Sequence, residues 1–182
     1  MTCIIGMQKD EKVYIGADNI ASTNELKQSR EDKKVFIKNN MIFGCTSSYR
    51  IINLLQYQLV IPDYHLDVSI DQYMYTDFIE EVIKLFKDKC FSTIDNNVIS
   101  GGNFIVGFKG KLYEIDNDFQ IAKPSDGFSC IGSGYQYAYG AMKALKKYED
   151  KLLSTEDIIK EALGVSEYYN PFVRKPFTIL NI

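Results

Sequence analysis

Three side chains near the start of the chain have types that could together activate a threonine hydroxyl as a nucleophile. Thr2 follows Met1, Asp18 ends the apolar segment 12–18, and Lys34 opens a later one. Removal of Met1 would expose the Thr2 α-amino group, whose reference pKa of ~7.7–8.0 lets it take the hydroxyl proton near neutral pH. A nearby lysine ammonium disfavours protonation of this amine and stabilises negative charge on the threonine oxygen, while a carboxylate orients the lysine. If strands 2–8, 12–18 and 34–38 are neighbours, the three residues cluster at one end, and they predict Thr2 as a nucleophile supported by Asp18 and Lys34.

Other hydrolytic and metal chemistries find little support in the sequence. His65 is the only histidine, so a conventional Ser-His-Asp triad is almost unavailable. The four cysteines, Cys3, Cys45, Cys90 and Cys130, lie far apart and form no CxxC or CxxH pair. Zinc sites need clustered Cys and His ligands, so buried reduced thiols are the expected state. We expect neither a metal nor a cofactor.

Composition is typical of a globular protein and points to no nucleic-acid or membrane partner. The chain has 182 residues, 46% hydrophobic and 25% charged, which suits one domain over residues 1–182. The net charge is −3 and no basic stripe is present, which argues against nucleic-acid binding. The apolar run at the start is too short for a secretory signal, and no stretch approaches the ~20 apolar residues of a membrane span. A cytoplasmic location is therefore expected.

The remaining pattern predicts strands in hairpin-spaced blocks, separated by helices. The predicted strands cover residues 2–8, 12–18, 34–38, 41–46, 103–108, 111–116, 119–122, 128–133 and 176–180. The predicted helices cover residues 48–60, 71–89, 135–149 and 155–168. Residues 19–33 read as a loop or irregular edge hairpin, and residues 91–101 read as a loop. Hairpin spacing favours antiparallel pairing, so we predict an α+β fold, a four-layer α-β-β-α sandwich of two antiparallel sheets.

Several motifs together resemble one known family. Thr2, the strand end Gly16-Ala17-Asp18 and the segment Lys33-Lys34-Val35 fall at the spacings of proteasome β-type subunits and, more closely, of the bacterial HslV peptidase. The run Ile131-Gly132-Ser133-Gly134 resembles the strand-to-helix junction of the same family. Members of this family are N-terminal-nucleophile (Ntn) hydrolases that share the sandwich predicted above.

The resemblance implies peptide-bond hydrolysis through an acyl-enzyme on Thr2. It implies that Ser133 hydrogen-bonds near the amine and that the backbone N–H of Ser47 forms the oxyanion hole, although the family usually has glycine there. Near the C-terminus the family has an aspartate that is not evident in segment 165–170, where Glu167 is a candidate substitute. Peptides or unfolded proteins are the implied substrates, within a homo-oligomeric ring that can work with an ATP-dependent unfoldase.

Two alternatives stay open on the sequence alone. The chain could be a catalytically silent proteasome-like subunit with a structural or binding role, which the missing aspartate favours. It could also be an Ntn amidase that acts on small molecules, because such enzymes share the sandwich with different loops. Retention or removal of Met1 separates an active threonine hydrolase from a silent subunit.

Overall fold

The computed structural model describes residues 2–22, 26–149 and 151–182. The strands are β1 (Cys3–Lys9), β2 (Lys12–Asp18), β3 (Ile20–Ser22), β4 (Lys27–Ser29), β5 (Val35–Lys38), β6 (Met41–Cys45), β7 (Thr93–Asp95), β8 (Val98–Ser100), β9 (Phe104–Phe108), β10 (Lys111–Ile115), β11 (Ile121–Ala122), β12 (Phe128–Gly132) and β13 (Phe177–Asn181). The helices are α1 (Tyr49–Tyr57), α2 (Ile70–Tyr73), α3 (Ile79–Asp88), α4 (Tyr135–Leu145) and α5 (Thr155–Tyr169).

Two antiparallel sheets form the centre of the fold. One has the strand order β12-β1-β2-β13 and the other the order β11-β10-β9-β6-β5. The hairpin between β1 and β2 turns at Asp10 and Glu11, which both have positive φ, and the turn of Asn39 and Asn40 between β5 and β6 does the same. Two-residue turns with positive φ match the right-handed twist of paired strands, so these loops set the hairpin registers.

Apolar layers on both faces of each sheet produce the four-layer arrangement. The sheets bury an aliphatic layer between them, to which Ile4, Ile15, Ile42 and Ile105 contribute. Helices α4 and α5 cover the four-stranded sheet, and α1 and α3 cover the five-stranded one. The predicted α-β-β-α sandwich of antiparallel sheets is confirmed.

A close contact fixes the position of α5 on the four-stranded sheet. A Cβ added to Gly16 in β2 would lie 2.4 Å from Cγ2 of Ile159 in α5. Only glycine permits this approach without displacing the helix. Helix α5 therefore lies directly on β2, and its C-terminal end comes close to the start of β1.

Some predicted boundaries differ from the structure for local reasons. The segment 91–101, predicted as a loop, contains the hairpin β7–β8, whose exposed strands turn at Asn96 and Asn97 with positive φ. The predicted strand 119–122 shrinks to β11 because Phe119 adopts a φ of 66°. The predicted helix 71–89 contains the π-helical turn Met74–Phe78 between α2 and α3.

Other boundaries move by only a few residues. A 3-10 turn, Lys146–Tyr148, follows α4 where a continuous helix to residue 149 was predicted. Strands β3 and β4 pair within the segment 19–33, as the edge-hairpin alternative predicted. In the described part of the chain, no helix is long and apolar enough to cross a membrane.

Candidate active site

The structure brings Thr2, Asp18 and Lys34 into direct contact at one end of the two sheets. Thr2 immediately precedes β1, Asp18 ends the neighbouring β2, and Lys34 immediately precedes β5 in the other sheet. The Thr2 hydroxyl donates to Oδ1 of Asp18 at 2.5 Å, and Nζ of Lys34 donates to Oγ1 of Thr2 at 2.8 Å. A hairpin and a strand from the facing sheet are therefore enough to assemble the three residues.

Asp18 and Lys34 form a buried ion pair behind the nucleophile. Nζ of Lys34 donates to Oδ2 of Asp18 at 2.9 Å and to the carbonyl of Ile20 at 2.7 Å. The Asp18 carboxylate also accepts the backbone N–H groups of Cys3 and Ile20. Asp18 is fully buried and Lys34 is 4% exposed. Burial lowers the pKa of Lys34 below its ordinary value, and its contact with Asp18 opposes this shift.

The junction between β12 and α4 holds the backbone of Thr2. The Ser133 hydroxyl and the Gly134 N–H both donate to the Thr2 carbonyl oxygen, each at 3.2 Å. Gly132 has a φ of 92°, and a Cβ there would lie 2.5 Å from the same carbonyl oxygen. Glycine is therefore required at position 132 for both conformational and steric reasons. The predicted site residue Ser133 thus lies beside Thr2, bonded to its backbone.

Ser47 follows β6 and lines a cleft that also contains Thr2 and Lys34. Its φ is 68°, in the left-handed region that favours glycine, although the residue carries a Cβ. Gly102 lies opposite, where a Cβ would approach the Ser47 side chain to 3.3 Å. The backbone at position 47 therefore has the conformation that glycine favours, and Gly102 leaves room for the serine side chain.

The cleft beside Thr2 is a mainly apolar groove of about 240 Å³. Ile20, Ala21 and Ile52 contribute apolar surface, and Tyr49 forms another part of its lining. The Arg30 guanidinium stacks on the Tyr49 ring at 4.0 Å from its centroid. A space of this size, next to a hydroxyl nucleophile, can hold one side chain of an extended substrate.

The end of α5 contributes residues that the sequence analysis missed. Asn170 donates from Nδ2 to the Ser133 carbonyl at 2.7 Å, and the Ser166 hydroxyl donates to the Gly134 carbonyl at 3.1 Å. Glu167, considered as a substitute for the family aspartate, instead contacts Lys175 through its carboxylate. The signal that could have found Asn170 is its position at the helix end before Pro171, where a polar side chain commonly caps backbone groups.

The buried cysteines are not activated nucleophiles. Cys3 lies next to Thr2, and burial raises the pKa of its thiol to about 12. Burial also raises the pKa of Cys45 and of Cys130. Across residues 2–22, 26–149 and 151–182, no group of three or more His, Cys, Asp and Glu side chains could hold a metal ion. The predicted removal of Met1 lies outside the described residues.

Comparison with known proteins identifies HslV-type protease subunits among the relatives of this chain. The chain is 39% identical over 62 residues to "ATP-dependent protease subunit HslV" of Geobacillus kaustophilus, a match that spans 34% of each protein. It is 24% identical over 164 residues to HslV of Rickettsia felis, covering 87% of this chain and 83% of the relative. No family model matches the chain.

Solved structures share the fold over the whole chain. Thiobacillus denitrificans BPH in complex with epoxomicin superposes with a TM-score of 0.81 at 18% identity, covering 100% of this chain and 98% of that one. Eukaryotic HslV from Trypanosoma brucei gives a TM-score of 0.70 at 20% identity, covering 99% and 98%. The chain is therefore similar in sequence to HslV proteins and in fold to HslV and BPH, and the resemblance to HslV predicted from its residues is confirmed.

Proposed function

We propose that this chain is a threonine-type peptidase subunit that hydrolyses peptide bonds through an acyl-enzyme on Thr2. The observation that carries the proposal is the contact of 2.8 Å between Nζ of Lys34 and Oγ1 of Thr2, backed by the buried Asp18. An ammonium at this distance stabilises an alkoxide, which a structural threonine does not need. The names of the HslV relatives, each a protease subunit, support the same function.

The proposed reaction begins with removal of Met1, which frees the Thr2 amine. This amine takes the Oγ proton, directly or through one water, as Oγ forms a bond to the substrate carbonyl carbon. The Ser47 N–H donates to the resulting oxyanion, and Lys34 stabilises the charge on Oγ. The protonated amine then gives its proton to the leaving nitrogen as the C–N bond breaks, and water hydrolyses the threonine ester.

Substrate and partners are proposed from the relatives. The relatives are named ATP-dependent protease subunits, so we propose an ATP-dependent unfoldase as the partner of this chain. We propose peptides or unfolded proteins as its substrates. We further propose a homo-oligomeric ring, one Ntn-hydrolase domain over residues 1–182 and a cytoplasmic location. The absence of nucleic-acid and membrane partners stays a prediction.

The test compares wild type with Thr2→Ala and Thr2→Ser, using fluorogenic peptides and intact-mass measurement of the N-terminus. We expect hydrolysis by wild type with Met1 absent, partial activity for Thr2→Ser, and loss of at least ~1,000-fold for Thr2→Ala, because its nucleophile is gone. Equal activity of wild type and Thr2→Ala would remove Thr2 from the mechanism. Retained Met1 in an inert protein would favour the silent-subunit alternative, and hydrolysis of small amides alone would favour the amidase.

A further inference from the structure

The junction residues Ser133 and Gly134 are bonded on two sides. Towards the nucleophile, the Ser133 hydroxyl and the Gly134 N–H both donate to the Thr2 carbonyl. Towards α5, the Ser133 carbonyl accepts from Asn170, and the Gly134 carbonyl accepts from Ser166. Each junction residue thus accepts one hydrogen bond from the last turn of α5 or from the residue that follows it, and donates one to Thr2. We call Ser166 and Asn170 the α5 clamp.

Both clamp residues are buried and their polar groups are used. Ser166 is fully buried, and its Oγ also accepts a bond from the Cys3 thiol at 3.5 Å. Asn170 is 7% exposed, and while its Nδ2 donates to Ser133, its Oδ1 accepts the Phe172 N–H at 2.9 Å. The nitrogen and the oxygen of the Asn170 side-chain amide therefore have different partners, so only one orientation of the amide satisfies both.

The hydrogen bond from position 170 to the Ser133 carbonyl uses a donor, which an ionised carboxylate cannot supply. The Ser133 carbonyl needs a donor, and an ionised aspartate offers only acceptors. Aspartate has nearly the shape of asparagine and keeps the acceptor for Phe172, but when ionised it replaces the donor to Ser133 with a second acceptor and adds a negative charge. The neutral amide of Asn170 therefore supplies the donor to the Ser133 carbonyl. Among the residues that the structure describes, no acidic side chain forms a hydrogen bond with Ser133.

We propose that Asn170 and Ser166 are positioning residues of the peptidase reaction, holding the Thr2 backbone through Ser133 and Gly134 so that Oγ stays aligned with Lys34. The proposal rests on the function proposed above. Loss of the clamp loosens the nucleophile without removing any group that touches the substrate. It therefore lowers kcat and leaves KM nearly unchanged, because binding in the cleft uses other residues.

The experiment compares Asn170→Asp, Ser166→Ala and the matched control Thr155→Val in the full-length protein. Thr155 is a buried polar residue at the opposite end of the same helix, where its hydroxyl donates to Glu149. We expect kcat for peptide hydrolysis to fall about tenfold or more in both clamp variants, with KM within about threefold, because a misplaced nucleophile slows only the chemical step. Thr155→Val should keep the wild-type kcat. Unchanged kcat in both clamp variants, or an equal fall in Thr155→Val, would overturn the proposal.

A second measurement separates the clamp from the activity itself. The Gly134 amide donates to the Thr2 carbonyl, so its hydrogen-exchange rate reports the junction directly. We expect exchange at Gly134 to rise about tenfold or more in Asn170→Asp and not in Thr155→Val, because only the first change releases the junction. An inert wild type would refute the proposed function while this exchange difference still tests the clamp, and equal exchange in all variants would refute the clamp.

Discussion

Replacing Lys34 by methionine tests whether the buried ion pair is an essential part of the site's stability. Methionine keeps the length and apolar volume of the lysine stem, so little packing is lost. The substitution leaves the fully buried Asp18 carboxylate without its cation. Removing one partner of a buried pair costs about 3–5 kcal/mol. Asp18 keeps its bonds from the Thr2 hydroxyl and from the N–H groups of Cys3 and Ile20, so we expect a loss near the lower limit, about 3 kcal/mol.

Urea unfolding of wild type and variants measures this loss. The matched control is Lys143→Met, which breaks the exposed pair of Lys143 with Asp126, whose side chains are 69% and 53% exposed. That change should cost less than about 1 kcal/mol, because solvent screens exposed pairs. The double variant Lys34→Met with Asp18→Asn should be more stable than Lys34→Met alone, since it removes the orphaned charge. A loss of unfolding free energy below about 1 kcal/mol for Lys34→Met would refute this reasoning. So would a loss in the double variant equal to the sum of the losses in Lys34→Met and in Asp18→Asn.

Two further predictions concern Asp71, which lies away from the site, and Ser47, which lines the cleft beside Thr2. Hydrogen bonds from Lys123, Tyr113 and Lys111 hold the pKa of Asp71 well below its usual range, so this carboxylate adds stability above about pH 4 that is lost as pH falls towards its folded-state pKa. Asp71→Asn should therefore flatten the fall of the unfolding free energy between about pH 5 and pH 2 in a urea series, and an unchanged slope would contradict it. Ser47→Gly should keep hydrolysis and stability, since glycine suits the φ of 68° and keeps the N–H, whereas loss of activity in a peptide assay would mean that the serine side chain itself is required.

The hairpins and layers of the fold could be predicted because local signals determine them. Period-2 apolar segments and turn residues such as Asn39 and Asn40 indicate where strands begin and reverse. The β7–β8 hairpin escaped prediction because its strands are short and exposed, so no apolar alternation identifies them. The π-helical turn before α3 leaves the apolar spacing of the helix nearly intact, and for that reason the sequence pattern does not show it.

The site residues that could be predicted lie at strand ends, and those that were missed lie at the end of helix α5. Thr2 and Asp18 come together through the pairing of β1 with β2, whereas Lys34 reaches them from the start of β5 in the facing sheet, so the condition that all three strands are neighbours was not needed. Ser166 and Asn170 reach the junction because α5 packs on the four-stranded sheet and on α4, and its close approach to β2 at Gly16 depends on the absence of one side chain. Sequence spacing cannot reveal such a tertiary contact, and a search limited to a replacement carboxylate led to Glu167 instead. The search that would succeed asks which buried donors face the carbonyl groups of Ser133 and Gly134, whatever their charge.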